Sequence, residues 1–204
     1  GDILNSEASG LSGLKITQEM INICNTETLY IQANEALKEY VPDWFNKEKG
    51  FNGFRTAQAE AIKDILNGNN LALLATVGFG KSNVAVGAAF ARGLQNNANM
   101  DIIVATEELL KQYTDGYIDG ENKLGSYQKY LDAAGITIYD MNAIADKAMN
   151  SGNYTELKEA LFDSNGLRVW TGERYGFLNT QAESKFSTMD NELRNILQQF
   201  QQEN

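Results

Sequence analysis

Short apolar runs separated by longer amphipathic stretches dominate the chain from residue 56 onward. Leu71–Thr76 (LALLAT) is wholly apolar, the pattern of a strand covered on both faces. Asp101–Ala105 (DIIVA), Gly135–Asp140 (GITIYD) and Leu167–Trp170 repeat the theme. Between them the periodicity changes to that of helices. Thr56–Leu66 reads as a helix capped by Thr56 and stopped by Asn67-Gly68-Asn69. Further helices are expected at Gly80–Leu94, from Glu107 to Tyr113, and at Leu124–Ala134, Asn142–Met149 and Tyr154–Phe162. Phe186, Met189, Leu193, Ile196, Leu197 and Phe200 recur at helical spacing, so the chain ends in an amphipathic helix that packs on this domain or docks on another. Alternation of this kind predicts an α/β fold: a parallel sheet with helices on both faces.

The first 45 residues have a different texture. Residues 1–15 are rich in Gly and Ser, lack periodicity and read as a tail. Two helices are expected next, Ile16–Asn25 and Glu27–Tyr40, with Leu29, Ala33, Leu37 and Tyr40 on one face. Val41-Pro42-Asp43 closes the segment with the only proline of the protein. The division is therefore a helical lead-in at 1–45 packing on an α/β domain at 46–204.

Hydrophobic residues make up 43% and charged residues 22%, the balance of a soluble globular domain. No run is long enough to span a bilayer and no signal-peptide pattern opens the chain, which points to the cytoplasm. The single Cys24 cannot form an internal disulfide. With no histidine, Ser–His and Cys–His catalysis and histidine metal sites are excluded. The net charge is −10, with 17 basic residues scattered among 27 acidic ones. Proteins that grip a nucleic-acid backbone supply clustered Lys and Arg, so the balance counts against such a partner.

Against this background one short string stands out. Residues 75–82 read Ala-Thr-Val-Gly-Phe-Gly-Lys-Ser, the spacing of a phosphate-binding P-loop with Ala75 in place of the first glycine. Gly78 and Gly80 let the backbone turn so that its amides, with those of Thr76, Val77 and Phe79, face phosphate oxygens. The helix that starts near Gly80 aims its positive end at the same place. Lys81 is placed for the β- and γ-phosphates, and the Ser82 hydroxyl for Mg²⁺. The competing reading is a Gly-rich turn with an exposed lysine; the strand before and helix after the string argue against it.

Upstream, Phe54-Arg55-Thr56-Ala57-Gln58 precedes the loop at a distance where helicase-like ATPases carry a glutamine that reads adenine. An amide both donates and accepts, so Gln58 suits that role, and a surface glutamine on an amphipathic helix is the alternative. Phe54–Gly68 (FRTAQAEAIKDILNG), Leu73–Ala88 (LLATVGFGKSNVAVGA), Tyr130–Asp140 (YLDAAGITIYD) and Gly166–Phe177 (GLRVWTGERYGF) together resemble the first nucleotide-binding domain of the SecA preprotein-translocase ATPases. In the last stretch Thr171, Tyr175, Gly176 and Phe177 match that family's Thr-Asn-Asn-Glu-Tyr-Gly-Phe. The resemblance spans roughly residues 27–178. It implies a RecA-like P-loop domain that binds ATP and Mg²⁺ as one lobe of a two-lobed motor. It also implies a second lobe or partner chain, a polypeptide substrate, and contact with the membrane only indirectly through a translocon.

The departures are specific. Phe79 replaces the family's usual acidic residue, and Thr171-Gly172-Glu173-Arg174 differs from Thr-Asn-Asn-Glu. The Asp-Glu-Val-Asp segment of the family has only Ser187-Thr188-Met189-Asp190-Asn191-Glu192 as a counterpart, with no apolar strand before it. A Walker B acid ends an apolar strand and faces the Mg²⁺. Asp140 meets the local description, but its position is one strand early, and capping of the following helix is the favoured role. Glu107 and Glu108 suit the N-terminus of their own helix. Trp44, Trp170, Tyr175 and Phe177 read as core or interface aromatics. Two other functions stay open: a nucleic-acid helicase lobe, and a module in which the P-loop survives without hydrolysis.

Overall fold

A computed structural model describes residues 18–40, 54–69, 80–115, 117–119, 122–124 and 131–203. The expected strand Leu71–Thr76, the tail, Trp44, and Thr76, Val77, Gly78 and Phe79 of the loop lie outside the described residues.

Strand β5 (Gly166–Thr171) organises the fold. It lies between β1 (Met100–Val104) and β4 (Thr137–Asp140), parallel to both, with Asp101 opposite Arg168 and Ile138 opposite Leu167. Every residue of β5 is buried, as a central parallel strand covered on both faces requires. Its side chains alternate between two cores. Leu167 and Val169 pack with Val86 and Phe90 of α3 (Lys81–Gly93) and Leu110 of α4 (Glu107–Thr114). Trp170 packs with Met141 and Ala145 of α5 (Met141–Ser151) and with Leu157 and Leu161 of α6 (Thr155–Phe162). The same core takes Leu178 and Ala182 of α7 (Gly172–Glu183), and Leu193, Ile196, Leu197 and Phe200 of α8 (Asn191–Glu203). This is an α/β structure with a three-stranded parallel sheet flanked by helices on both faces, consistent with a RecA-like P-loop domain. A separate antiparallel pair joins β2 (Tyr117–Asp119) to β3 (Asn122–Leu124).

Helix α2 (Thr56–Leu66) lies against α3 through Ala61, Ile62, Val84 and Ala88. The helices approach closely because position 87 is glycine: a Cβ there would meet Phe54 Cζ at 2.8 Å and Ile62 Cδ1 at 3.0 Å. Helix α1 (Gln18–Tyr40) docks on this pair. Leu29 and Ala33 enter the α3 core, Glu27 pairs with Lys63 at 2.8 Å, and the Thr26 hydroxyl donates to Asn67 Oδ1 at 2.6 Å.

Several expectations are corrected. The two helices expected at 16–25 and 27–40 are one continuous helix, because Thr26 is buried within it and causes no break. Of the helix expected at Leu124–Ala134, residues 125–130 lie outside the described residues, Leu124 ends β3, Leu131 is helical and Asp132–Ala134 form a 3₁₀ turn. Thr56 is the first residue of α2 and not its cap; Arg55 holds the cap position. The last helix starts at Asn191, leaving Phe186 outside it and 94% exposed, while the helix itself packs on this domain. No helix among the described residues is long and apolar enough to cross a membrane.

Candidate functional site

The N-terminus of α3 is built around a single backbone conformation. Gly80 caps the helix with φ of 83°, a left-handed geometry that suits glycine because no Cβ clashes with the following carbonyl. No side chain caps the helix and its first turn holds no acid. Its positive dipole end is therefore not offset by a carboxylate in its own first turn. Lys81 is exposed and Ser82 half-buried in that turn.

Gln58 reaches the same spot from α2. It is buried, and its amide is used at both ends: Oε1 accepts from the Arg55 backbone N–H at 3.0 Å, and Nε2 donates to the Gly80 carbonyl at 3.4 Å. The surface-glutamine alternative therefore does not hold. A Cβ at position 80 would sit 2.6 Å from Gln58 Nε2, so the left-handed turn and the glutamine are fitted to one another. The structure thus brings together four of the expected residues, Gln58, Gly80, Lys81 and Ser82. Tyr113 on α4 comes close to the Ser82 side chain. Tyr113 is itself buried, which pushes its phenol up from the ordinary value, the Ser82 side chain opposing the shift. Composition and spacing gave no sign of Tyr113, because the contact joins two helices that are distant in sequence.

A second concave region opens at the C-terminal ends of β1 and β5, where ligands of open α/β sheets are commonly found. This cleft of about 400 Å³ is lined by Thr106, Glu107, Asn142, Thr171, Arg174 and Phe177, among others. Two helices start there with capping threonines: Thr106 Oγ1 accepts from Leu109 N at 3.2 Å, and Thr171 Oγ1 from Arg174 N at 3.3 Å. Asn142 stitches the region together. Its Nδ2 donates to Glu107 Oε1 at 2.8 Å and to Thr171 Oγ1 at 2.9 Å, and its Oδ1 accepts from Thr171 N at 3.1 Å. Arg174 is paired with Asp146 at 2.7 Å. Phe177 stays half exposed at the rim, whereas Trp170 is buried. The sequence signal for this cleft was a Thr directly after each apolar run, the position of an N-cap.

The candidate acids resolve into structural partners. Asp140 Oδ1 accepts from Ala143 N at 3.0 Å and caps α5, the role favoured from its position. Glu107 and Glu108 occupy the first turn of α4, with Thr106 as the cap. Among the described residues no group of three or more Asp, Glu, Cys or His is placed to hold a metal ion.

The fold is an α/β lobe consistent with a RecA-like P-loop domain, with Gly80, Lys81 and Ser82 at the start of α3. Residues 55–132 match the family model of the DEAD/DEAH box helicases, a stretch that runs from the cap of α2 through α3, β1 and α4. The match speaks for the helicase-like P-loop superfamily and not for its SecA branch in particular. No curated protein and no solved structure matches the chain.

Proposed function

We propose that this chain is the nucleotide-binding lobe of a helicase-like motor, taking ATP with Mg²⁺ at the N-terminus of α3. The observation that carries the reading is the junction of Gln58 with the left-handed Gly80 cap, next to Lys81 and Ser82 in an acid-free first turn, inside the stretch that matches the helicase model. In this reading Thr76–Gly80 cradle the phosphates through backbone amides and Lys81 neutralises their charge. Ser82 ligates the Mg²⁺, and Gln58 reads adenine after releasing Gly80. Hydrolysis is expected to be weak, since the candidate acids Asp140 and Glu107 are committed to structural hydrogen bonds and a second lobe supplies the arginine finger in two-lobed motors. The test is a melting curve with and without ATP–Mg²⁺, repeated on Lys81→Ala. At ligand a hundredfold above Kd, binding adds about 2.7 kcal/mol of stability. An unshifted melt of the unsubstituted protein would overturn the reading.

For the polymer on which such a lobe works, we favour a polypeptide, as in SecA-type motors, with a second ATPase lobe as partner. The supporting observation is electrostatic. The cleft at the sheet edge carries Glu107 and Glu173, and its Arg174 is paired with Asp146. Carboxylates there oppose a phosphodiester chain, on top of the net charge of −10. A nucleic-acid helicase lobe is the rival. Fluorescence anisotropy with a single-stranded oligonucleotide decides between them: binding that weakens steeply from 50 to 200 mM salt, on the order of 10³-fold, favours the rival.

A further inference from the structure

We propose that Tyr30 of α1 is a positioning residue for the nucleotide base: through Phe54 it fixes the backbone N–H of Arg55, which orients the Gln58 amide. The inference rests on the reading of Gln58 as the group that meets adenine.

The Gln58 amide is held at both ends, Oε1 by the Arg55 N–H at 3.0 Å and Nε2 by the Gly80 carbonyl at 3.4 Å. A flipped amide would set donor against donor and acceptor against acceptor, so the two bonds fix which end is which. Adenine offers a donor beside an acceptor, the complement of an amide in a fixed orientation. When the Gly80 carbonyl is exchanged for a base, the Arg55 bond is the one that remains. Its donor belongs to the peptide plane that joins Phe54 to Arg55, so the place of Phe54 sets where it points. Phe54 is wedged between two helices. On one side it lies against Gly87 of α3, where a Cβ would stand 2.8 Å from its Cζ. On the other it meets the Tyr30 ring, with 6.3 Å between centroids and a tilt of 44°, inside the range of favourable aromatic pairs. Tyr30 is steadied in turn. Lys63 of α2 lies 4.8 Å from its ring centroid and pairs with Glu27, on the same helix as Tyr30, at 2.8 Å. Both Tyr30 and Phe54 precede the stretch that matches the helicase model, so this support reaches the site from outside it.

The test compares the affinities of the full chain for ATP–Mg²⁺ and for tripolyphosphate–Mg²⁺, which has the phosphates and no base. Tyr30→Leu keeps apolar bulk and removes the aromatic contact. Its ATP affinity is expected to fall about three- to tenfold, the range of one aromatic pair, with tripolyphosphate affinity unchanged. Gln58→Ala should show a loss at least as large, again selective for ATP, and the double variant should bind ATP no more weakly than Gln58→Ala. Unchanged ATP affinity in Tyr30→Leu, equal losses for both ligands, or additive losses in the double variant would each overturn the proposal. Unchanged ATP affinity in Gln58→Ala would instead strike the adenine reading and take this proposal with it. If tripolyphosphate does not bind, GTP–Mg²⁺ replaces it: the preference for ATP narrows in Tyr30→Leu if the proposal holds and persists if it does not. A second pair of variants does not depend on how Tyr30→Leu folds. Arg55 has a φ of −64°, so proline fits there and deletes the N–H, which Arg55→Ala keeps. Arg55→Pro should show the larger selective loss of ATP affinity, and equal effects of the two would reject the proposal.

Discussion

The two faces of β5 are built on different principles. On the face that carries α3 and α4, the core is mostly aliphatic: Val86, Ala89, Leu110, Leu131, Ile136, Leu167 and Val169 are buried there with Phe90. On the opposite face Tyr154, Trp170 and Phe200 bring more aromatic surface into the core, which encloses an ion pair. Arg168 is fully buried, donates through Nε to Asp101 Oδ1 at 2.8 Å and through Nη2 to Asp101 Oδ2 at 3.1 Å, and lies 5.0 Å from the Phe200 ring centroid. Asn99 Oδ1 and the Leu161 carbonyl take two more of its donors, and the Trp170 indole N–H donates to the same Asp101. One face is fixed by this buried charged network. At the edge of the other, the buried Asn165 amide accepts from Ala98 N at 3.0 Å and donates to the Ala134 and Gly135 carbonyls at 3.0 and 3.1 Å, while Gln58 bonds the Gly80 carbonyl at 3.4 Å.

The largest expected effect breaks the scaffold. Asp101→Ala leaves the Arg168 guanidinium buried without its carboxylate, and loss of one partner of a buried pair costs about 3–5 kcal/mol. Urea unfolding should show a midpoint lowered to match. A loss under about 1 kcal/mol would mean that the pair is not held as the geometry indicates. Next in size is an overpacking of the site face. Gly87→Ala places a methyl 2.8 Å from Phe54 Cζ, and such insertions cost about 1–3 kcal/mol. Since α2 carries Gln58, this change should also weaken ATP binding, whereas Asp101→Ala should lower stability and leave the affinity of the remaining folded protein close to the original. Equal effects of both substitutions on affinity would erase the distinction between the faces.

The sequence disclosed these faces unevenly, for physical reasons. The strands β1, β4 and β5 were legible because burial on both sides leaves short apolar runs, and the Asp140 cap because an acid directly after such a run suits a helix start. The caps Thr106 and Thr171 were not read as caps, and Thr56 was read as one in place of Arg55. Helix α7 was not legible. It buries only Leu178 and Ala182, too little for a periodic pattern, and it reads as the polar end of a strand. Arg168 reads as a polar interruption of β5, since nothing local says that Asp101 lies opposite it in register. The P-loop candidates were picked out by spacing and by the strand and helix expected around them, but their internal partners were not. Gln58 was visible as a candidate only through its distance from the loop, and Tyr113 was not visible at all. Contacts between helices leave no trace in a one-dimensional pattern; the residues that make them look like ordinary members of an amphipathic face.

A smaller effect separates structure from chemistry at the sheet edge. Asp140→Ala removes the cap of α5 and should cost about 1 kcal/mol, while Asp140→Asn preserves the cap and should leave stability within a few tenths of that of the unsubstituted protein. Any ATPase activity should be unaffected by Asp140→Asn. A hydrolysis rate that falls with stability intact would return Asp140 to the role of Walker B acid and move catalysis into this lobe.

The smallest effect is read in pH. Tyr139 on β4 donates to Asp163 Oδ2 at 2.7 Å, and its phenol is pushed well above the ordinary value, first by burial and then by that bond and the charge of Asp163. A phenol whose folded value exceeds its unfolded one favours the folded state while it is protonated. That contribution is complete below the unfolded value of about 10 and is lost as pH rises from there through the folded value. Tyr139→Phe removes it. The stability gap between the two proteins should therefore be constant from pH 7 to about 9 and narrow above about pH 10, as Tyr139 ionises in the unfolded chain first. Urea unfolding at pH 8 and at the highest pH where both proteins still refold measures the gap. A gap that stays constant across that span would show that neither burial nor the bond to Asp163 raises the Tyr139 phenol in the folded protein.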